Sequence, residues 1–202
     1  MLLAERNEID ALTIFPLQVP HFLSASEIAK FLAWLDRHEE QFGQLQGNDD
    51  YWKGRTLTPS NVSDPEIVQL FRDTKDRVLE LVAGQLAEHL GPQPPLYADV
   101  VNFARWPVGY ELHPHADAEN PGGAPHPFPW RTLASVIYLN DNYGGGEIYF
   151  PNFKLELKPK PGTLVVFPGT LKYLHGVRAV TKGMRHTIAS FLTFDPTKEY
   201  RF

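Results

Sequence analysis

The sequence predicts an α+β fold in which two helices buttress one antiparallel barrel or jelly roll. Three observations lead there. Two capped, amphipathic helical patterns occupy the first half of the chain. Beyond Leu96 the character changes to eight short apolar, often alternating runs with turn residues between them. Helices first and strands afterwards, in 202 residues, suit one α+β domain able to bury a substantial core. The expected division is a helical support over about 1–95 and a strand-built core over about 96–195, within a single domain 1–202.

Residues 12–23 (LTIFPLQVPHFL) read as a short strand that ends in a turn at Pro20. Ser24-Ala25-Ser26-Glu27 has the spacing of a capping box, so a helix starts there and runs to about His38. Ile28, Phe31, Leu32 and Leu35 form its apolar face. Residues 41–62 are polar and Gly-containing, with one aromatic and cationic island, Tyr51-Trp52-Lys53-Gly54-Arg55. That island reads as an amphipathic strand edge or as a substrate contact.

Ser63-Asp64-Pro65-Glu66 is a second helix start, with Pro at the first helical position, where its missing N–H has no partner to lose. Ile67, Leu70, Phe71, Val78, Leu81, Val82 and Leu86 recur at helical spacing as far as Leu90, which gives one apolar stripe for packing on a sheet. Gly91-Pro92-Gln93-Pro94-Pro95 stops this helix. The strand-like runs then follow at about 97–106, 110–115, 131–139, 147–150, 153–157, 163–167, 173–178 and 186–194. Tyr143 and the glycines from Gly144 to Gly146 read as hairpin turn chemistry; no helix follows them, so they do not form a phosphate cradle.

Composition excludes several classes. A net charge of −5 and a pI near 5.9 argue against an electrostatic grip on nucleic acid. The absence of Cys removes disulfides, thiolate zinc sites and Cys nucleophiles. The first residues, MLLAERNEIDAL, place acids where a signal peptide needs a basic region and a long apolar run. No apolar run approaches the ~20 residues of a membrane span. A cytoplasmic protein without nucleic-acid or membrane partners is the expectation.

The residues that carry chemistry begin at His113-Pro114-His115-Ala116-Asp117. If this stretch runs as a strand, His113, His115 and Asp117 point to one face, because side chains alternate with period two. Imidazole and carboxylate ligands suit Fe(II), Mn(II) and Zn(II) alike. His175 lies in a second strand-like run, and Arg185 opens the last strand ten residues further on. Alternation puts Arg185, Thr187 and Ala189 on one face of that strand, with His186, Ile188 and Ser190 on the other. An arginine and a hydroxyl facing inward beside a metal site can clamp the far carboxylate of a dicarboxylic acid, since guanidinium offers a planar bidentate fork.

Residues 97–194 resemble the Fe(II)/2-oxoglutarate-dependent dioxygenases, in particular the prolyl-4-hydroxylase-like branch. The resemblance rests on His115-x-Asp117, the distal His175 and Gly183-x-Arg185. It is extended by Arg131-Thr132 with Tyr138-Leu139-Asn140, by Gly145-Gly146-Glu147 with Phe150, and by Lys160-Pro161-Gly162 with Val166-Phe167-Pro168. It implies a double-stranded β-helix core, with His115, Asp117 and His175 as ligands of Fe(II). Arg185 would bind the distal carboxylate of the cosubstrate 2-oxoglutarate, helped by Tyr138, Thr187 and Trp106; Trp106 stands where relatives often carry Tyr. The implied reaction consumes O2, converts 2-oxoglutarate to succinate and CO2, and hydroxylates an unactivated C–H, with ascorbate as an accompanying reductant. Relatives that halogenate lack the carboxylate supplied here by Asp117, which favours hydroxylation.

Two other functions compete. H-x-H-x-D also opens a dinuclear metallo-hydrolase motif, but that motif continues with a second His where this chain has Ala118. On the oxygenase reading His113 is exposed or stands behind the ligands, and His186 is structural. A barrel that senses metal or ligand without turnover is the remaining alternative; the intact triad and Arg185 argue against it. The expected substrate is an amino acid, a short peptide or another small molecule. Arg55, Trp52 and Trp130 are its candidate contacts, with Arg55 holding an anionic end. The loop from Ala118 to Trp130, which contains His126 and the Gly122-Gly123 pair, reads equally as a plain surface loop or as a lid hinged at those glycines.

Overall fold

The computed structural model describes residues 2–42 and 52–202, so Tyr51 of the aromatic island lies outside the described residues. In chain order the elements are α1 (Leu2–Ala11), β1 (Leu17–Val19), α2 (Ala25–Arg37), β2 (Thr56–Leu57), α3 (Pro65–Leu90), β3 (Tyr97–Trp106) and β4 (Leu112–His115). There follow β5 (Leu133–Tyr138), β6 (Gly144–Gly145), β7 (Ile148–Phe150), β8 (Leu155–Leu157), β9 (Leu164–Pro168), β10 (His175–Val177), β11 (Val180–Lys182) and β12 (Arg185–Thr193).

The two expected helices form where their caps place them. At α2, Glu27 N donates to Ser24 Oγ at 3.2 Å and Ser24 N donates to Glu27 Oε2 at 2.7 Å, so the capping box is reciprocal. At α3, the Asp64 carboxylate accepts from Glu66 N at 3.0 Å, and Gly91 closes the helix with φ 77, a conformation that favours glycine. Glu27 also meets Arg77 of α3 at 2.6 Å, which ties the two helices together. Their apolar faces meet the outer face of the sheet at Phe103: the Phe31 and Phe71 rings lie 5.3 and 4.3 Å from it. Such aromatic contacts add to the area they bury.

A third helix, α1, precedes the expected pair. Its polar sequence shows little amphipathic signal, and what holds it is tertiary: Ile9 is buried, and the Asp10 carbonyl accepts from Lys172 Nζ and, at 3.5 Å, from the Tyr173 hydroxyl.

All strand pairs are antiparallel. The major sheet has the order β1-β9-β5-β12-β3-β2, the minor sheet β4-β10-β7-β8, and β11 pairs with β6 as a separate ribbon. The eight expected runs all contain strands. The additions are β2, β6 and β11, whose two or three residues are too short for alternation to register. The run expected from 173 begins as strand only at His175, because Leu171–Tyr173 forms one 3₁₀ turn.

Register decides what faces inward. β12 pairs along its length with β3 and along most of it with β5, placing Arg185 opposite Trp106, and Thr187 opposite both Ala104 and Tyr138. Arg185, Thr187 and Ala189 line one cavity, as alternation requires, while Ile188 joins Phe103 in the core beneath the helices.

Candidate active site

β4 and β10 are neighbouring strands, and their register sets His115 directly opposite His175. β4 ends at His115, and Asp117 follows two residues beyond it, buried. The strand therefore does not carry His113, His115 and Asp117 on one face; His113 stays outside with its side chain 85% exposed. Among the described residues His115, Asp117 and His175 are the one grouping of this kind, their ligand atoms all within 4.8 Å of one another. His115 Nε2 lies 3.6 Å from Asp117 Oδ1, and His175 Nε2 lies 3.7 Å from Asp117 Oδ2.

Both imidazoles are oriented from behind in the same way. His115 Nδ1 donates to the His113 carbonyl at 2.9 Å, and His175 Nδ1 donates to the Tyr173 carbonyl at 3.1 Å. A carbonyl only accepts, so each Nδ1 carries the proton and each Nε2 keeps its lone pair for the centre of the triad. Burial pushes the His175 pKa down to about 4, against the pull of Asp117, so this ring is neutral at neutral pH. At His115 burial acts in the same direction, but Asp117 and the His113 carbonyl outweigh it and leave the pKa above its ordinary value. Burial raises the Asp117 pKa; the two imidazoles and Arg131 more than offset that, so the carboxylate stays ionised.

The second pole of the site is Arg185, 2% exposed. Its guanidinium lies 5.1 Å from the Trp106 ring centroid and 4.9 Å from that of Tyr138. Four buried donors meet here without an acceptor for their protons: Arg185 Nε, Trp106 Nε1 and the hydroxyls of Tyr138 and Tyr143, whose oxygens lie within reach of the guanidinium. Buried polar groups are ordinarily paired, so the cluster points to a missing acceptor. Tyr143 does sit in the expected hairpin, but the hairpin also carries its ring inward. No periodicity marks this, because the position depends on the β6–β11 ribbon folding back on Arg185.

Between the poles runs a cavity of about 390 Å³, lined by His115, Asp117 and His175 on one side and by Arg185 and Thr187 on the other. Trp52, Thr56, Asn102, Phe128 and Arg131 are among the other polar and aromatic residues of its wall. In the sequence Arg131 is marked only as part of a strand motif. Here its guanidinium lies 3.8 Å from the Phe128 ring and 3.8 Å from the Phe191 ring, and its Nε donates to Asp99 at 2.7 Å.

The candidate substrate residues separate. Trp52 lines the cavity; Arg55, 2% exposed, lies behind it, with its guanidinium 4.7, 5.3 and 4.2 Å from the rings of Trp52, Trp106 and Tyr110. Trp130 is outside the cavity lining, 4.1 Å below Lys198 Nζ. In the 118–130 loop the Asn120 side chain donates to the Pro125 carbonyl at 2.7 Å, while Glu119 accepts from Leu171 N at 2.7 Å. Gly122 and Gly123, at φ 72 and 74, form the turn at the tip of this loop. His126 Nδ1 accepts from Phe128 N at 3.1 Å, and His186 is lodged on the other face of β12, within the influence of Asp36, Glu39 and Arg105.

A profile of the 2OG-Fe(II) oxygenase superfamily matches residues 101–193, which hold the triad and Arg185. Over those residues the chain is similar to this superfamily. Proteins of this superfamily use Fe(II) with the cosubstrates 2-oxoglutarate and O2, and His115, Asp117 and His175 are a donor set that could hold such a metal. Prolyl 3-hydroxylase 2 of Homo sapiens is 35% identical over 77 residues, 36% of this chain and 11% of that protein. Prolyl 3-hydroxylase 1 of Gallus gallus is 35% identical over 82 residues, again 11% of its length. The match thus spans about a tenth of these curated relatives.

Solved structures share the fold. A Trichoplax adhaerens prolyl hydroxylase, in complex with a hypoxia inducible factor peptide fragment, superposes with TM-score 0.67 at 17% identity, covering 98% of this chain and 93% of that one. A Pseudomonas putida prolyl-4-hydroxylase gives TM-score 0.62 at 19% identity, covering 96% and 98%. The viral collagen prolyl hydroxylase of Paramecium Bursaria Chlorella virus-1, as its 2-oxoglutarate complex, gives 0.62 at 18% identity, covering 87% and 93%. These 2OG oxygenases give the helix-supported antiparallel core its architecture, a jelly roll. Among the described residues no helix is long and apolar enough to cross a membrane.

Proposed function

We propose that this chain is a 2-oxoglutarate-dependent hydroxylase in which His115, Asp117 and His175 hold Fe(II) and Arg185 anchors 2-oxoglutarate. The observation that carries this reading is the pairing of two incomplete sites across one cavity. At one end two Nε2 lone pairs and a carboxylate converge, with Asp117 Oδ2 buried and unbonded. At the other the guanidinium Nε, two phenolic hydroxyls and an indole N–H converge with no acceptor for their protons. Two imidazoles and one carboxylate are the donor set of open-sided non-haem iron centres, so the residues fit the metal. The unpaired donors fit a carboxylate at Arg185.

When bound, Fe(II) with 2-oxoglutarate and O2 supplies the oxidant that replaces C–H by C–OH while the oxo acid becomes succinate and CO2. The chain's own residues position and enclose. The His113 and Tyr173 carbonyls fix the two imidazoles. Arg185 fixes one end of the cosubstrate, and Thr187 and Ala189, on the same strand face, lie along its path. Trp52, Phe128 and Arg131 then surround the primary substrate at the cavity mouth, with Arg55 setting the pose of Trp52 and Trp106. The 118–130 loop covers the mouth and excludes water, carrying Phe128 and, beside it, Trp130.

Peptidyl proline is the first substrate class to test, since the named relatives are prolyl hydroxylases and one is seen with a peptide. Free amino acids and other small molecules follow. The experiment is a substrate screen with iron-loaded protein, read by succinate release together with a mass gain of one oxygen. Succinate without any oxygenated product in the whole screen would place the substrate outside these classes; no succinate under any condition would overturn the assignment in favour of a non-catalytic sensor.

A further inference from the structure

The geometry points to Tyr143 as a second phenolic donor to the distal carboxylate of the 2-oxo acid, beside Tyr138. The inference rests on the reading of Arg185 as the cosubstrate anchor, and it adds a residue that turn chemistry alone does not explain. A hairpin needs glycines at its tip; it does not need a buried phenol.

Tyr143 is 6% exposed, and its buried hydroxyl lies within reach of the Arg185 guanidinium but has no acceptor for its own proton. Leaving the proton of a buried hydroxyl without an acceptor is unfavourable, so a fold that retains such a hydroxyl has a use for it or fills it with a ligand. The phenol lies beside the Arg185 guanidinium and within the influence of Tyr138. The nearby carboxylate, Glu147, is engaged by Lys158 at 3.6 Å.

The ring is also held in place. A Cβ on Gly146 would come within 3.0 Å of both Arg185 Cδ and Tyr143 Cε2, so the bare glycine is what lets the two side chains lie together. A Cβ on Gly183 would come within 2.7 Å of the Asn142 carbonyl, so the segment that leads into Arg185 presses against the segment that carries Tyr143. From behind, Lys158 Nζ donates to the Tyr143 carbonyl at 3.0 Å. Burial pushes the Tyr143 pKa up to about 12, so the hydroxyl keeps its proton throughout the physiological range.

Around Arg185 the guanidinium Nε, the Trp106 N–H and the two phenolic O–H groups all have a proton to give and no acceptor for it, while the phenol oxygens can themselves accept from the guanidinium. A carboxylate is the complementary ligand, with two oxygens and about four acceptor sites. A neutral acceptor with one oxygen could not serve two phenols, an indole and a guanidinium together. The cradle therefore selects 2-oxo acids with a second carboxylate, and Tyr143 contributes to that selection without touching the metal end.

The test uses Tyr143→Phe, which keeps the ring that packs on Gly146 and Arg185. Binding of 2-oxoglutarate to the Mn(II)-loaded protein is measured by calorimetry, with oxalate as a ligand that can chelate the metal but cannot reach Arg185. The expected result is a loss of about ten- to a hundredfold in 2-oxoglutarate affinity, as for a hydrogen bond to a charged group, with oxalate affinity unchanged. The thermal midpoint of the ligand-free variant should stay close to that of the wild type, because the ring that packs on Gly146 and Arg185 is kept. Unchanged 2-oxoglutarate affinity, or equal weakening of both ligands, overturns the proposal. Wild-type protein that binds oxalate and not 2-oxoglutarate overturns the cosubstrate reading itself, a separate result visible before any variant is made.

Discussion

His115 and His175 face each other across neighbouring antiparallel strands, with ring centroids 4.5 Å apart. Neither histidine could be so placed by its own strand. β4 supplies one and β10 the other, and the hydrogen-bonded register between them sets the bite of the site before any metal arrives. Asp117, just past the end of β4, then closes the third side with one oxygen toward each ring.

That shared register makes Gly176 a sensitive position. A Cβ there would lie 2.6 Å from the Leu112 carbonyl and 2.7 Å from the Tyr149 ring, so Gly176→Ala must push β10 away from β4 or β7. We expect metal affinity to fall at least tenfold and stability by about 1–3 kcal/mol, the range for overpacking a core. Metal titration and chemical denaturation of the variant check both.

Removing a ligand differs from removing its neighbour. His175→Ala should abolish metal retention and turnover while the far-ultraviolet circular dichroism stays native, because the core lies mostly between the major sheet and the helices. His113→Ala should retain both, since only the His113 main-chain carbonyl serves the site and its side chain is exposed. Loss of metal in His113→Ala, measured by elemental analysis, would return weight to a hydrolase-type centre.

Arg185→Ala should weaken 2-oxoglutarate binding by about 3–5 kcal/mol, several hundredfold or more, with metal content unchanged. Tyr138→Phe removes one donor to a charged group and should cost about 1.5–3 kcal/mol. Direct binding measurements on the Mn(II)-loaded variants separate the two. Equal effects would mean that the guanidinium is not the principal anchor.

His186 should give the stability a pH dependence. Burial is the largest influence on its pKa and lowers it, with Arg105 assisting and Asp36 and Glu39 opposing. The folded pKa is then below the unfolded value of about 6.5, so the unfolded chain binds the proton first and this contribution to stability is lost as pH falls below that value. His186→Gln should flatten the stability profile between about pH 5 and 7 relative to wild type, as read from denaturation midpoints across that range.

The helix ends were legible because capping is local: Ser24 and Glu27, or Asp64 and Pro65, act within one turn of chain. The longer strands were legible because alternation needs only a few residues, and with them came the inward face of Arg185 and Thr187. What escaped was short or was held from a distance. α1 has no amphipathic pattern and is fixed by Lys172 and Tyr173, some 160 residues away in the chain. β6 is two glycines, and glycine carries no pattern.

The order of His115, Asp117, His175 and Arg185, the helices that precede them and the alternation of β12 are properties of the amino-acid sequence by itself, because each depends on residue type and spacing along one segment. Tertiary structure alone decided that Asp117 turns inward while His113 stays in solvent, since β4 ends between them. It also decided that Arg55 lies within an aromatic cage behind the cavity wall, that Arg131 is stacked between Phe128 and Phe191, and that Tyr143 reaches Arg185. Each of these relationships joins segments brought together only when the sheets close. Their energies come from burial and from contacts between those segments, and no local pattern records them.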